Sequence, residues 1–179
     1  MPLDVIDARG ECNLARQCVY LGSYTGQLTG TDGGNTALKM RVITGDASVG
    51  TFGRGCPGSN ALIPTVSFSG TSQLGMTLNH DLANALAFTP CLAAFGFTSA
   101  PPFPIDLSFL GFTGCRAYTS PVVMLGTVSD GLGAASIGVS IPLDPALVGF
   151  LLYSQWIALD GLAAGGLTTS NYGRALVGN

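Results

Sequence analysis

Turn-forming residues divide this chain at intervals of roughly 8–15 residues, and that spacing limits what it can fold into. The sequence carries 26 glycines and 10 prolines in 179 residues, about twice the usual glycine usage. Turn formers at this density favour many short strands over helices. The apolar segments between them predict strands over residues 48–53, 63–69, 73–81, 91–98, 107–110, 115–118, 122–128, 134–141, 150–159 and 166–177, after a hairpin over 18–29 and 36–44 that turns at Asp32-Gly33-Gly34-Asn35. Residues 82–87 (LANALA) are expected to add one helical turn. The fold class this implies is all-β: an antiparallel β-sandwich, jelly-roll-like, with Gly/Pro-rich turns and little helix. Domain organisation is read as an N-terminal arm or hairpin extension over 1–52 and a β-sandwich domain over 53–179.

Residues 144–160 (DPALVGFLLYSQWIALD) are the most apolar stretch and hold the only Trp. Asp144-Pro145 starts a turn, because Pro presets φ and the Asp carboxylate bonds the following backbone. Gly149 lets the chain change direction. From Phe150 onward both alternate sets are mostly apolar, Phe150, Leu152, Ser154, Trp156 and Ala158 on one side and Leu151, Tyr153, Gln155, Ile157 and Leu159 on the other. That is the signature of a strand covered on both faces. A short buried helix is the competing reading of such a run.

Charged residues make up 9% of the chain, against roughly 25% in ordinary soluble domains. Residues 1–60 are neutral overall, with Arg9, Arg16, Lys39, Arg41 and Arg54 balancing Asp4, Asp7, Glu11, Asp32 and Asp46. The rest carries only Arg116 and Arg174 against Asp81, Asp106, Asp130, Asp144 and Asp160. With no basic patch, nucleic acid is not an expected partner. A surface this poor in charge faces lipid, is covered by neighbouring subunits, or stays in solution through hydroxyl and amide groups. No stretch is long and apolar enough for a transmembrane helix. A membrane β-barrel fits poorly, since the apolar runs are irregular and interrupted by Pro.

Five cysteines, Cys12, Cys18, Cys56, Cys91 and Cys115, match no metal-ligand spacing, and with His80 the only histidine no zinc site is expected. In an extracellular protein they would form two disulfides and leave one thiol. Cys12–Cys18 is the local pair and Cys56–Cys115 the preferred long one, leaving Cys91 free and buried; Cys91–Cys115 competes with it, as do five reduced thiols in a cytosolic protein. Met1-Pro2-Leu3-Asp4 lacks the basic start and apolar core of a signal peptide, so an exported protein is expected here in mature or trimmed form.

The segments GRGCPGSNALIPTVSFSGTSQLG, LSFLGFTGC, SDGLGAASIGVSIPLDPALVGFLLYSQWIALD and GGLTTSNYGRALVG together resemble a C-terminal domain of large secreted proteins from planctomycete-type bacteria. The shared pattern is GxGCPGS, LxxLGxxGC, IPxDPxLxG, a Gln-containing aromatic strand and a closing SNxG strand, over about residues 53–178. Tyr172-Gly173-Arg174 departs from it, where a plain SNG-L is expected, and residues 1–52 lie outside it. The resemblance implies export and a β fold; it brings no catalytic residue and no ligand.

No constellation of side chains names a reaction. His80-Asp81 is the sole source of a catalytic base, and Ser72 or Ser136 the accompanying nucleophiles, but no G-x-S-x-G elbow is present and a polar strand end is the plainer reading. Asp81, Asp106, Asp130, Asp144 and Asp160 are the carboxylates available for glycoside hydrolysis, and each falls in a turn or at a strand edge. Asp32-Gly33-Gly34-Asn35 and Asp130-Gly131 lack the carboxylate density of a calcium loop. No cofactor and no metal are expected. Tyr20, Tyr24, Tyr118, Tyr153, Trp156 and Tyr172 are the aromatics available for a sugar platform, and Trp156, Tyr153 and Tyr118 the candidates for stacking on glycans, with core packing the better reading of Trp156. The function this composition fits is a non-enzymatic, secreted or cell-surface structural protein that self-assembles or docks to other surface proteins through uncharged β surfaces, with homo-oligomer, filament or surface-layer neighbours as partners. An extracellular polysaccharide-binding module is the alternative.

Overall fold

The computed structural model describes residues 46–179, the compact unit Asp46–Asn179 of a chain that divides after Gly45. The expected Cys12–Cys18 disulfide, the hairpin over 18–44 and the turn at Asp32 lie outside the described residues. Ten strands follow in order: β1 Ser48–Phe52, β2 Thr65–Gly70, β3 Thr77–Ala83, β4 Pro90–Gly96, β5 Ile105–Asp106, β6 Arg116–Ala117, β7 Val123–Val128, β8 Ala135–Ser140, β9 Leu151–Leu159 and β10 Leu167–Leu176. They form a five-stranded sheet ordered β1-β10-β9-β4-β7, a three-stranded sheet ordered β2-β3-β8, and the short pair β5-β6. Every strand pairing is antiparallel. The all-β sandwich read from the turn spacing is the fold of this unit.

Period-two alternation explains the core. Val66 of β2 and Leu82 of β3 face Cys91, Ala93 and Phe95 of β4 and Trp156 and Ala158 of β9, all buried, with Ala135, Ile137 and Val139 of β8 packed against them. Leu78, Ile141, Ala175 and Val177 close one end of the sandwich. The apolar stretch of the sequence is thus the central strand β9, flanked by β10 and β4. Its entry turn is built as the residues dictate: Asp144 Oδ1 accepts from the Ala146 amide at 2.9 Å, and Gly149 takes φ 84°.

The outer face of β9 is covered too, by the long β4–β7 connection. Gly96 permits the approach, because a Cβ there would strike the Ser120 carbonyl. The Cys56–Cys115 disulfide ties this connection to the β1–β2 loop, and Cys91 is free and buried. β10 carries an irregularity between Thr169 and Tyr172, where two residues oppose one on β9. It turns Ser170 Oγ to accept from the Trp156 amide at 2.9 Å and Asn171 Oδ1 to accept from the Val66 amide at 2.8 Å, the role of a bulge that re-aims side chains.

Three local expectations differ from the structure. Residues 48–52 belong to the sandwich as edge strand β1, paired with Leu176–Tyr172 of β10, so the unit begins at Asp46 and not at residue 53. Residues 82–87 make no helical turn: Leu82 and Ala83 continue β3, and Asn84 with φ 64° ends it. Residues 107–110 form a 3-10 turn at Ser108–Leu110, because Asp106 Oδ1 accepts from the Ser108 amide at 2.8 Å and competes with strand pairing.

Candidate functional site

Trp156 is 1% exposed, lies inside the sandwich and presents no stacking face. Tyr153 points the other way. On the outer face of the five-stranded sheet the β1–β10 and β10–β9 registers set Phe52 opposite Tyr172 and Arg174 opposite Tyr153. The Phe52 and Tyr172 rings are 5.6 Å apart, Tyr153 and Tyr172 6.3 Å, and the Arg174 guanidinium sits 4.9 Å over the Phe52 ring. Tyr118 from the covering connection stacks on Tyr172 at 5.0 Å. Tyr172 is among the aromatics the sequence offers, but Phe52 is not, because only the register of β1 on β10 brings it against Tyr172.

Tyr118 is buried, with its hydroxyl committed: it donates to the Arg54 carbonyl at 2.9 Å and accepts from the Arg54 amide at 2.9 Å. It forms the wall between the aromatic face and a cleft of about 290 Å³ lined by Arg54, Gly55, Pro57, Asp106, Arg116 and Tyr118. The side chains of Arg54, Arg116 and Asp106 are exposed. The Ser108 side chain and amide, followed by the Arg116 charge, lower the Asp106 carboxyl below its ordinary value.

The second surface is the β7 edge. β7 is the end strand of the five-stranded sheet, on the side opposite β1. Val123, Met124, Leu125 and Val128 are 46%, 45%, 40% and 60% exposed. Val123 and Leu125 pair with the core residues Phe95 and Ala93 and so face inward, while Met124 and Val128 face outward. Phe88 and Leu132, both strongly exposed, extend the apolar surface at the end of the strand, Phe88 lying against Gly131.

His80 is not a polar strand end. It is wholly buried, because Leu78, His80 and Leu82 share the inward phase of β3. Its ring makes edge contacts with Phe68 at 5.0 Å and Phe95 at 4.8 Å, and Nδ1 bonds Ser154 Oγ at 2.9 Å. Burial pushes the imidazole down to about 4, the Asp81 charge offsetting part of that. Neither candidate nucleophile meets it: Ser72 Oγ donates to the Leu176 carbonyl and Ser136 to Asp81. A sealed imidazole–hydroxyl pair offers a substrate no approach.

Asp106, Asp130, Asp144 and Asp160 accept from backbone amides. Asp130 Oδ1 accepts from the Leu132 and Ala134 amides at 2.8 and 2.9 Å, and these bonds lower its pKa. Asp160 is buried, which alone would raise its pKa, but amides of Ser59, Leu162 and Ala163 bring it below the ordinary value. Among the described residues no group of three or more His, Cys, Asp or Glu side chains is placed to hold a metal ion, and no helix is long and apolar enough to cross a membrane. Comparison with protein-family models, curated proteins and solved structures yields no match.

Proposed function

We propose that this is a non-enzymatic structural domain of the cell surface or extracellular space, which assembles with further copies of itself by pairing β7 edges. The observation that carries the reading is the chemistry of Val123–Val128. An edge strand is an open template for another strand, and proteins block it with charges, Pro, bulges or a covering element. Residues 123–128 contain no charge and no Pro, and all six pair in unbroken register with β4. Antiparallel pairing of β7 with β7 across a two-fold axis is self-complementary. It buries apolar side chains on both faces of the joined sheet. The Cys56–Cys115 disulfide favours an oxidising compartment, in line with the export that the resemblance implies.

Sedimentation of the full chain across a range of concentrations tests this. Wild type associates reversibly. Leu125→Lys places an inward charge on the edge and shifts the protein to monomer, while Val49→Lys on the opposite edge strand leaves association unchanged. A wild type monomeric at every concentration, or association indifferent to Leu125→Lys, rejects the reading.

A further inference from the structure

We infer that the outer face of the five-stranded sheet, with the cleft beside the disulfide, is a binding site for a carboxylate-bearing polysaccharide. Residues 46–179 contain three cations, Arg54, Arg116 and Arg174. In a unit otherwise almost devoid of positive charge, all three fall on one continuous surface. Arg54 and Arg116 line the cleft with Tyr118, Tyr118 stacks on Tyr172, Tyr172 packs against Phe52, and Arg174 lies over Phe52. Six aspartates are the only acidic side chains of the unit, and Asp106 alone lines this cleft. The unit is negative overall, so such a collection of guanidinium groups selects for a negative ligand at that one place.

The class of anion follows from the groups on offer. Guanidinium forks match planar carboxylates in a bidentate way. Arg54 and Arg116 against Asp106 leave a single net positive charge in the cleft, suited to one carboxylate per sugar unit and too weak for densely sulfated chains. The rings beside it supply the apolar platform on which a pyranose face packs: Phe52 is exposed, and Tyr153 and Tyr172 are half-buried. Their outward edges lie along β1, β10 and β9, so a linear chain crossing those strands meets rings and arginines together. The disulfide and the bonds from Tyr118 to the Arg54 backbone hold the cleft wall in place without a ligand, which lowers the ordering cost of binding.

Affinity electrophoresis and calorimetry of the full chain with polygalacturonate test the site, with dextran and dextran sulfate as comparisons. Polygalacturonate is expected to retard the protein at low salt and to lose most of its effect at 0.5 M NaCl, as a charge-based contact does. Dextran has no effect. The double substitution Arg54→Gln/Arg116→Gln weakens binding at least tenfold, and Arg54→Lys/Arg116→Lys recovers part of it. Tyr172→Ala weakens it severalfold. Because both arginine side chains are exposed, the Gln variant keeps the wild-type melting temperature. No binding, equal binding of dextran, preference for dextran sulfate, or full binding by the Gln variant each overturns the inference. The Leu125→Lys variant binds polygalacturonate as wild type does, which separates this site from the β7 edge.

Discussion

Gln155 holds the Tyr118 backbone: its Oε1 accepts from the Tyr118 amide at 3.0 Å, across the outer face of β9. Its Nε2 donates to the Arg116 carbonyl at 2.7 Å and to the Ser170 carbonyl at 2.9 Å. One buried amide therefore satisfies three backbone groups and fixes the wall of the arginine cleft to the central strand. These three bonds account for a Gln among the large apolar residues of β9.

Replacing Gln155 with Leu keeps the volume and removes this partner from the Tyr118 amide and the Ser170 carbonyl, while the Arg116 carbonyl keeps only the Thr169 hydroxyl at 3.4 Å. Unsatisfied buried polar groups cost about 1–3 kcal/mol each, and partial rehydration of the covering connection recovers some of it. The expected loss is about 3 kcal/mol, read as a lower urea midpoint. The same variant should bind polygalacturonate more weakly because the cleft wall loosens. A midpoint within the error of wild type would show that the connection is held by the disulfide alone.

Much of this fold is legible in the chain because its turn residues act locally. GRGCPGS is an example: a Cβ at Gly55 would lie 2.5 Å from the Thr169 carbonyl, Cys56 supplies the disulfide, and the Ser59 amide donates to Asp160 at 2.7 Å. These contacts make the motif a structural clasp on β10 and on the turn after β9. The phase of β3 is legible as well, since Leu78 and Leu82 flank His80 at two-residue steps, and the strand runs on past Asp81 to Ala83. The aromatic surface was not legible. Phe52 and Tyr172 meet through strand register alone, and the bulge after Thr169 sets which β10 residues face outward, which no short-range pattern reports.

His80 makes acid stability predictable, because it is the chain's only histidine. Its folded-state pKa of about 4 lies below the ordinary 6.5, so the unfolded chain binds the extra proton first. The fold is fully stable with respect to this group above pH 6.5 and loses stability as pH falls towards 4, by about 3 kcal/mol in all. Thermal midpoints measured from pH 7 to 4 should fall along that limb, and its single imidazole NMR resonance should titrate near 4. A resonance titrating near 6.5 would place His80 in solvent.

The Cys56–Cys115 bond closes a loop of sequence separation 59, for which the chain-entropy model gives about 4 kcal/mol. Cys56→Ser/Cys115→Ser should lower the unfolding free energy by up to that amount. Cys91 behaves in the opposite manner. It is buried, which raises its thiol pKa, and it should stay unmodified by alkylating reagents in native protein and react on unfolding. Peptide mapping distinguishes it from the other cysteines. Native-state labelling at Cys91 would contradict its burial, and a Cys91–Cys115 crosslinked peptide would contradict the pairing.

Trp156 tests the core directly. It is the largest of the fully buried side chains, yet its Nε1 has no hydrogen-bond partner. Emission should be blue-shifted and resistant to iodide until the protein unfolds, and polygalacturonate should leave it unchanged. Truncation to Ala opens a large cavity and should cost about 3–5 kcal/mol. Trp156→Phe loses only part of that packing and also removes the unpaired donor, whose burial is itself unfavourable by about 1–3 kcal/mol. Its cost should therefore be less than half that of the Ala variant, as measured by urea denaturation. Equal costs for the two would mean that the indole N–H is satisfied in solution, by a water molecule reaching it between the sheets.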